Sequence, residues 1–397
     1  MDITTLISQL NPLAICGILL ILGLIGGQIT RLIRFIPKIT GYIAVGFIVG
    51  PGLLNIVNQS VLHDIKILID ISLGLILFNL GRQLDFTWLK HDLSLLYMSI
   101  TESLLTFVTV FIAFIWMNFS ILAASFAASI AITTSPAVIM LIANDLSSEG
   151  PVTRRTLMLT SLNNFWGLIL FTLLIPFANP KIHGALPILA DYAYKFFGAL
   201  IFVLAIFSVC VFIGKLITKT KLNQIVLFVG MILITISLAK SIDLSVKLSL
   251  FLFGVMVRNL DFKHIFIEVD FEWGIHLAFI LLFVITGMQI NLHGIVNYTF
   301  AVFAFISLRL LAKSAGIWLL AKKSRLTSKQ TFSIGLALTP MAGVTIGMLS
   351  TLTDFNPEFG SQLTTIIASA VAVLHILGPI ATQYAFIRSN ETLINRM

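Results

Sequence analysis

Charge is scarce in this chain. Only 11% of its 397 residues are Asp, Glu, Lys or Arg, while 58% are hydrophobic and the mean hydropathy is +1.03. Soluble domains carry roughly 25% charged residues, so a soluble enzyme is excluded and a polytopic membrane protein is indicated. Long polar stretches are missing as well. The longest loops, 176–194 and 259–272, are too short for a folded module, so we expect one transmembrane domain with no cytosolic regulatory domain. Cysteine is nearly absent: Cys16 and Cys210 both fall in apolar spans and imply no disulfide framework. The opening segment, MDITTLISQLNP, lacks the basic region of a cleavable signal, and the first apolar span is expected to remain as a helix. There is no H-E-x-x-H, no G-x-x-x-x-G-K-S/T loop and no facing pair of intramembrane carboxylates. An enzyme is therefore not expected, nor is any cofactor.

What is present is apolar sequence in span-sized blocks. A window of about 20 residues yields thirteen candidate spans, near 12–31, 41–57, 65–82, 94–117, 120–144, 155–176, 195–217, 222–240, 244–258, 273–290, 298–321, 330–352 and 362–387. With the N-terminus outside, 18 of the 25 basic residues fall on one side. Five lie opposite, Lys66, Lys181, Lys195, Lys240 and Lys247, and two, Arg309 and Lys313, are inside a span. Cytoplasmic loops carry that excess, so the N-terminus is expected outside and the C-terminus in the cytoplasm. The net charge of +8 is accounted for by topology and anionic lipid; no nucleic-acid partner is expected.

Span five contains Thr133-Thr134-Ser135-Pro136. Proline removes a backbone donor at membrane depth, so the helix must break there and leave free carbonyls and amides. The next span carries two adjacent amides, Asn163 and Asn164. A broken helix beside buried polar side chains is how secondary transporters build a midplane site.

Internal repetition extends that plan. Gly46 and Gly254 are 208 residues apart, Gly81 and Gly287 are 206 apart, and Pro136 and Pro340 are 204 apart. Two six-span repeats, 12–176 and 222–387, joined by a linker helix at 195–217 would have opposite topology, with the breaks at Pro136 and Pro340 crossing at the centre. The fold class expected is thus all-α, about thirteen transmembrane helices in two inverted repeats.

The same spacing, 207 residues, separates Glu102 from Arg309. A lone charge at membrane depth costs about 2.5–3.5 kcal/mol on insertion scales, so the two are expected to pair and brace the crossing, with ion or proton ligation as the alternative role. Lys313 is expected to snorkel toward the cytoplasmic side. His375 reads either as a core group or as a proton relay.

At this point a family resemblance becomes visible. GYIAVGFIVGPGLLN is similar to the G-Y-x-x-x-G-x-x-x-G-P signature of the monovalent cation/proton antiporters, the sodium/hydrogen exchanger superfamily, and of its bacterial second subfamily in particular. LGLILFNLGRQLDF, LFVITGMQINL and LALTPMAGVTIGM resemble the family's third span, tenth span and second broken helix, so the resemblance runs from Leu22 to Pro379. It implies exchange of Na⁺ or K⁺ for H⁺ in a bacterial inner membrane. It further implies a homodimer, with spans 1–3 and 8–10 as scaffold and spans 4–6 and 11–13 as an elevator-type moving core.

One departure stands out. Proton-exchanging members usually carry Asp-Asp, Asn-Asp or Gln-Asp where this chain has Asn163-Asn164, and electrogenic relatives tend to place a basic residue where it reads Ile285-Thr286-Gly287. Asparagine cannot titrate. Either another group carries the proton, Glu102 ahead of Asp145 and Asp70, or coupling is lost. The oxygens of Thr133, Thr134, Ser135, Asn163, Asn164, Thr339 and Thr345 form the expected site for Na⁺ or K⁺. An anionic or neutral solute, or a sensor that moves nothing, are the competing readings.

Overall fold

A computed structural model of the chain describes residues 12–32, 37–50, 53–54, 56–57, 66–178, 184–261, 265–266, 272–288, 290, 296, 298–341, 344–345, 347–349, 352 and 357–392. All regular structure among them is helical: α1 (Pro12–Arg31), α2 (Lys38–Val49), α3 (Lys66–Gln83), α4 (Phe86–His91), α5 (Leu93–Trp116), α6 (Ile121–Ile132), α7 (Pro136–Asp145), α8 (Pro151–Ala178), α9 (Ala185–Leu216), α10 (Lys221–Ser241), α11 (Val246–Asn259), α12 (Glu272–Met288), α13 (Thr299–Leu320), α14 (Ser328–Ala337) and α15 (Pro357–Arg388). Eight segments among the described residues are long and apolar enough to cross a membrane, and Lys38–Val49 and His276–Met288 are shorter apolar helices. Parts of three motifs (Pro51-Gly52, Gln289 with Asn291-Leu292, and Ala342-Gly343 with Ile346) lie outside the described residues.

The helices pack in two groups. In the first, α1 and α12 pack on α2, α11 on α3, and α10 on both α3 and α11. In the second, α13 crosses α5, α6 lies between α5 and α8, and α14 packs on α15. Long α9, expected to start at 195 but beginning at Ala185, touches α8, α10 and α11 and so contacts both groups. The expected 41–57 span is also shorter as a helix, ending at Val49. Gly50 is extended there, since it precedes a proline and that position disfavours helix.

Glycines set the closest approaches in the first group. A side chain on Gly46 would strike the Val284 carbonyl and Gly287, and one on Gly81 would strike the Phe251 carbonyl and Gly254. Backbone therefore meets backbone where α2 crosses α12 and where α3 crosses α11. The small-residue rule for membrane helices has the same basis, because apolar lipid leaves only close packing to favour association.

The segment through α6 and α7, Ile121–Asp145, is the most enclosed of the long apolar stretches. Every residue of α6 from Phe126 on is buried, as are Thr133, Thr134 and Ser135 and α7 through Ala143. An all-round apolar helix with no polar face is what such a position requires.

Candidate functional site

Helix α6 stops at Ile132 and α7 starts at Pro136. Thr133 and Ser135 between them are extended (φ −63°, ψ 146° and φ −73°, ψ 107°). Proline at 136 has no N–H and disfavours helical backbone at Ser135, and the Ser135 hydroxyl then accepts from Val138 N–H as the N-cap of α7. On the second side α14 ends at Ala337, and Thr339, Pro340 and Met341 are non-helical. The two breaks touch: Ser135 N–H donates to the Pro340 carbonyl at 2.9 Å.

A broken helix exposes its last carbonyls, and here four consecutive ones each receive a side-chain donor. Arg309 on α13 donates from Nε to Ala131 O (2.9 Å) and from Nη2 to Thr133 O (2.8 Å). Lys313 Nζ donates to Ile132 O (2.7 Å), and Asn164 Nδ2 to Thr134 O (2.7 Å). Arg309 also bonds Thr339 O (2.8 Å) and Leu338 O (3.4 Å), so its fork holds both breaks at once. Cations suit this end of a helix, whose dipole is negative.

The expected pair of Glu102 and Arg309 is not what forms. The Glu102 carboxylate pairs with Lys313 Nζ, both fully buried, while every hydrogen bond from the Arg309 guanidinium goes to main-chain carbonyls. Lys313 accordingly does not snorkel. The cause is steric: a side chain on Gly316, one turn beyond Lys313, would collide with the Glu102 backbone. α13 thus presses on α5 at that level and brings Lys313 to the carboxylate. Sequence held one usable signal, since Arg309 and Lys313 are four residues apart and share a helix face.

Asn164 is oriented by two acceptors, Thr134 O and Thr160 O, both bonded from Nδ2. Carbonyls cannot donate, which turns Oδ1 away from both. Among the described residues neither Asn164 Oδ1 nor the buried Thr134 hydroxyl has a hydrogen-bond partner. Asn163 faces hydroxyls instead, with Ser99 and Ser103 each 3.4 Å from Oδ1. Thr133 bonds Ile130 O and the Thr345 hydroxyl, and the Thr339 hydroxyl donates to Leu336 O. The remaining candidates lie elsewhere. Asp145 pairs with Lys38 and Asp70 with Lys240, each at 2.5 Å. His375 packs edge-on to Phe283, with neither ring nitrogen partnered among the described residues.

Comparison with known proteins accords with this crossing of two interrupted helices. The sodium/hydrogen exchanger transmembrane family is matched over residues 17–387. The chain belongs to that family. It is 24% identical over 371 residues to the glutathione-regulated potassium-efflux system protein KefC of Escherichia coli K12 and to that of Escherichia fergusonii, with 86% of this chain aligned. The chain spans 56% of the length of those relatives. Its fold is that of the sodium proton antiporter MjNhaP1 from Methanocaldococcus jannaschii: TM-score 0.69 at 19% identity, covering 97% of this chain and 98% of the other. A second structure of that antiporter gives 0.71 at 17% identity, covering 96% and 94%.

Two cavities flank this polar centre. One of about 350 Å³ is lined by Asp70, Leu168, Lys195, Asp243 and Lys247; one of about 1140 Å³ is lined by Arg82, Asp85, Arg154, Met158 and Arg258. They lie at opposite ends of α3 and of α8. Asn163 and Asn164 fall between Met158 and Leu168, about 6 to 9 Å along the helix from each at 1.5 Å per residue. Both asparagines are fully buried, so the centre is closed to both cavities.

Proposed function

We propose that this chain is a secondary transporter that moves a monovalent cation, Na⁺ or K⁺, in exchange for protons by alternating access. The observation that carries the reading is the pair of buried oxygens, Thr134 Oγ1 and Asn164 Oδ1, at the break between α6 and α7, which have no hydrogen-bond partner among the described residues. Neutral oxygens of this kind are ligands for a weakly bound monovalent cation. Thr133, Ser135, Asn163 and Thr339 complete the proposed shell. K⁺ is the cation named for the KefC relatives.

Several observations support the inverted-repeat, elevator-type plan. Under the proposed repeat, Gly46 corresponds to Gly254 and Gly81 to Gly287, and the contacts of Gly46 with Gly287 and of Gly254 with Gly81 are images of one another. The two cavities at opposite ends of α8 are what a core sliding past a scaffold needs. We carry the homodimer, the bacterial inner membrane and the N-outside, C-cytoplasmic orientation as parts of the same proposal.

One observation favours a different solute. Glu102, Arg309 and Lys313 are all fully buried and their formal charges leave one positive charge over, which suits an anion. Purified protein in liposomes decides between the readings. Na⁺ or K⁺ flux with alkalinisation or acidification of the lumen, read by a trapped pH dye, is the expected result. Anion flux, or binding with no flux of any ion, would overturn it.

A further inference from the structure

Ser103 on α5 has its hydroxyl between two other groups. Oγ is 3.3 Å from the Glu102 carboxylate and 3.4 Å from the amide of Asn163, and all three side chains are buried. A hydroxyl has one proton to give, and a carboxylate can only accept. The bond to the charged acceptor is the stronger one, so the proton goes to Glu102 and Ser103 has only a lone pair left for Asn163. Ser99 Oγ, also 3.4 Å from that amide, accepts from Trp166 Nε1 at 3.1 Å. It keeps a proton and a lone pair and can serve either end of the amide.

The two ends of an amide have the same shape, so the donors and acceptors around it decide which end faces the serines. With Oδ1 toward them, Ser103 must divide one proton between two acceptors. Nδ2, fully buried, then has no hydrogen-bond partner among the described residues. With Nδ2 toward them, its two hydrogens go to Ser103 and Ser99, and Oδ1 takes the unpartnered place. Both faults disappear. The choice bears on the solute, because a buried NH₂ without an acceptor suits an anion, whereas a buried carbonyl oxygen without a donor suits a cation.

Resting on the cation-transport reading above, we propose that Ser103 is a positioning residue that sets the preference of the centre for cations: it donates to Glu102, accepts from Asn163 Nδ2, and so turns Asn163 Oδ1 away from the serines as a cation ligand. The same device orients Asn164, whose Nδ2 is committed to Thr134 O and Thr160 O. Three neutral oxygens are then left without a donor: Oδ1 of Asn163, Oδ1 of Asn164 and Oγ1 of Thr134. Glu102, paired with Lys313, anchors the chain of bonds from outside the ligand set. A charged pair thereby fixes the direction of an uncharged ligand.

The test is equilibrium binding of radioactive Na⁺, Rb⁺ (standing in for K⁺) and bromide to the purified protein, with Na⁺ and Rb⁺ flux in liposomes measured in parallel. Wild type is expected to bind the cations and not bromide. Ser103→Ala releases the Asn163 amide and should weaken cation binding about three- to tenfold, the worth of one hydrogen bond, while bromide binding rises. Ser103→Thr keeps the hydroxyl and should restore both values, which a role in packing alone would not produce. A folded Ser103→Ala that binds cations and bromide as wild type does, or a Ser103→Thr as impaired as the Ala variant, overturns the inference and leaves cation transport standing. Bromide bound by wild type overturns it as well. Absence of cation binding and flux in wild type removes the transport reading and this inference with it. Should Ser103→Ala fail to fold, the wild-type comparison of cations with bromide decides alone.

Discussion

Ser135 and Pro340, 205 positions apart in the chain, are joined by a main-chain hydrogen bond of 2.9 Å at the point where both of their helices are interrupted. That bond satisfies one amide and one carbonyl that no helix can serve. Arg309 satisfies four more carbonyls around it. The crossing is therefore held by backbone and by one guanidinium, and its stability depends on both.

Arg309→Leu is expected to be severely destabilising. It strands the carbonyls of Ala131, Thr133 and Thr339 in a water-free interior, at about 1–3 kcal/mol for each buried unsatisfied group, and leaves two half-helix dipoles uncompensated. Arg309→Lys should recover only part of the loss, because a point charge cannot bridge two segments. Thermal unfolding of the detergent-purified variants measures this, and a Leu variant melting alongside wild type would refute the bracing role.

Aspartate is expected to be accepted unequally at the two amide positions. At 164 it would face the Thr134 and Thr160 carbonyls without a donor unless protonated, so Asn164→Asp should be destabilised at neutral pH and recover as pH falls. At 163 it would face the Ser99 and Ser103 hydroxyls, which can donate to it, so Asn163→Asp should be destabilised less than Asn164→Asp. Melting temperatures against pH for both variants test the asymmetry; equal behaviour would contradict the amide orientation.

Asp85 caps α4 and pairs with Arg258 at 2.7 Å, tying the end of α3 to the end of α11. Partial burial pushes its carboxyl up, but hydrogen bonds from Thr87, Arg258 and the Trp88 and Thr87 backbone prevail and hold it at about 2. A carboxylate depressed in the folded state contributes stability that is fully present above the unfolded value of 3.8 and is lost as pH falls through about 2. Asp85→Asn should therefore lower the melting temperature at pH 7, with the gap to wild type closing between about pH 4 and pH 2. A gap unchanged across that window would count against the assignment.

Lys247 Nζ donates to the Gly347 carbonyl at 2.6 Å, linking α11 to the segment beyond the second break, at the wall of the smaller cavity. Any sliding of the second helix group against the first must part that contact. Lys247→Met is expected to speed exchange and to raise the labelling rate of a cysteine placed at Met348, which lines the same cavity. Slower labelling in the Met variant would show that the contact does not restrain the movement.

Much of the helix layout was legible in one dimension, because length and hydropathy are local properties. Proline at 136, following three hydroxyl residues in an apolar run, marked the first break for the same reason: a missing N–H is missing whatever surrounds it. The buried position of Asn163 and Asn164 followed from two amides deep in an apolar stretch.

Partner choice among the buried charges was not legible in that way. Repeat spacing pointed from Glu102 to Arg309, yet a carboxylate pairs with the nearest cation that packing delivers. The bare Cα of Gly316 brings Lys313 to it, while Arg309 is drawn off by carbonyls that only the two breaks together create. Hydropathy and a single imino acid thus specify which segments cross the bilayer and where one of them must open. Which donor fills each exposed carbonyl depends on distances of a few ångströms between helices far apart in the chain, and those exist only once the helices have packed.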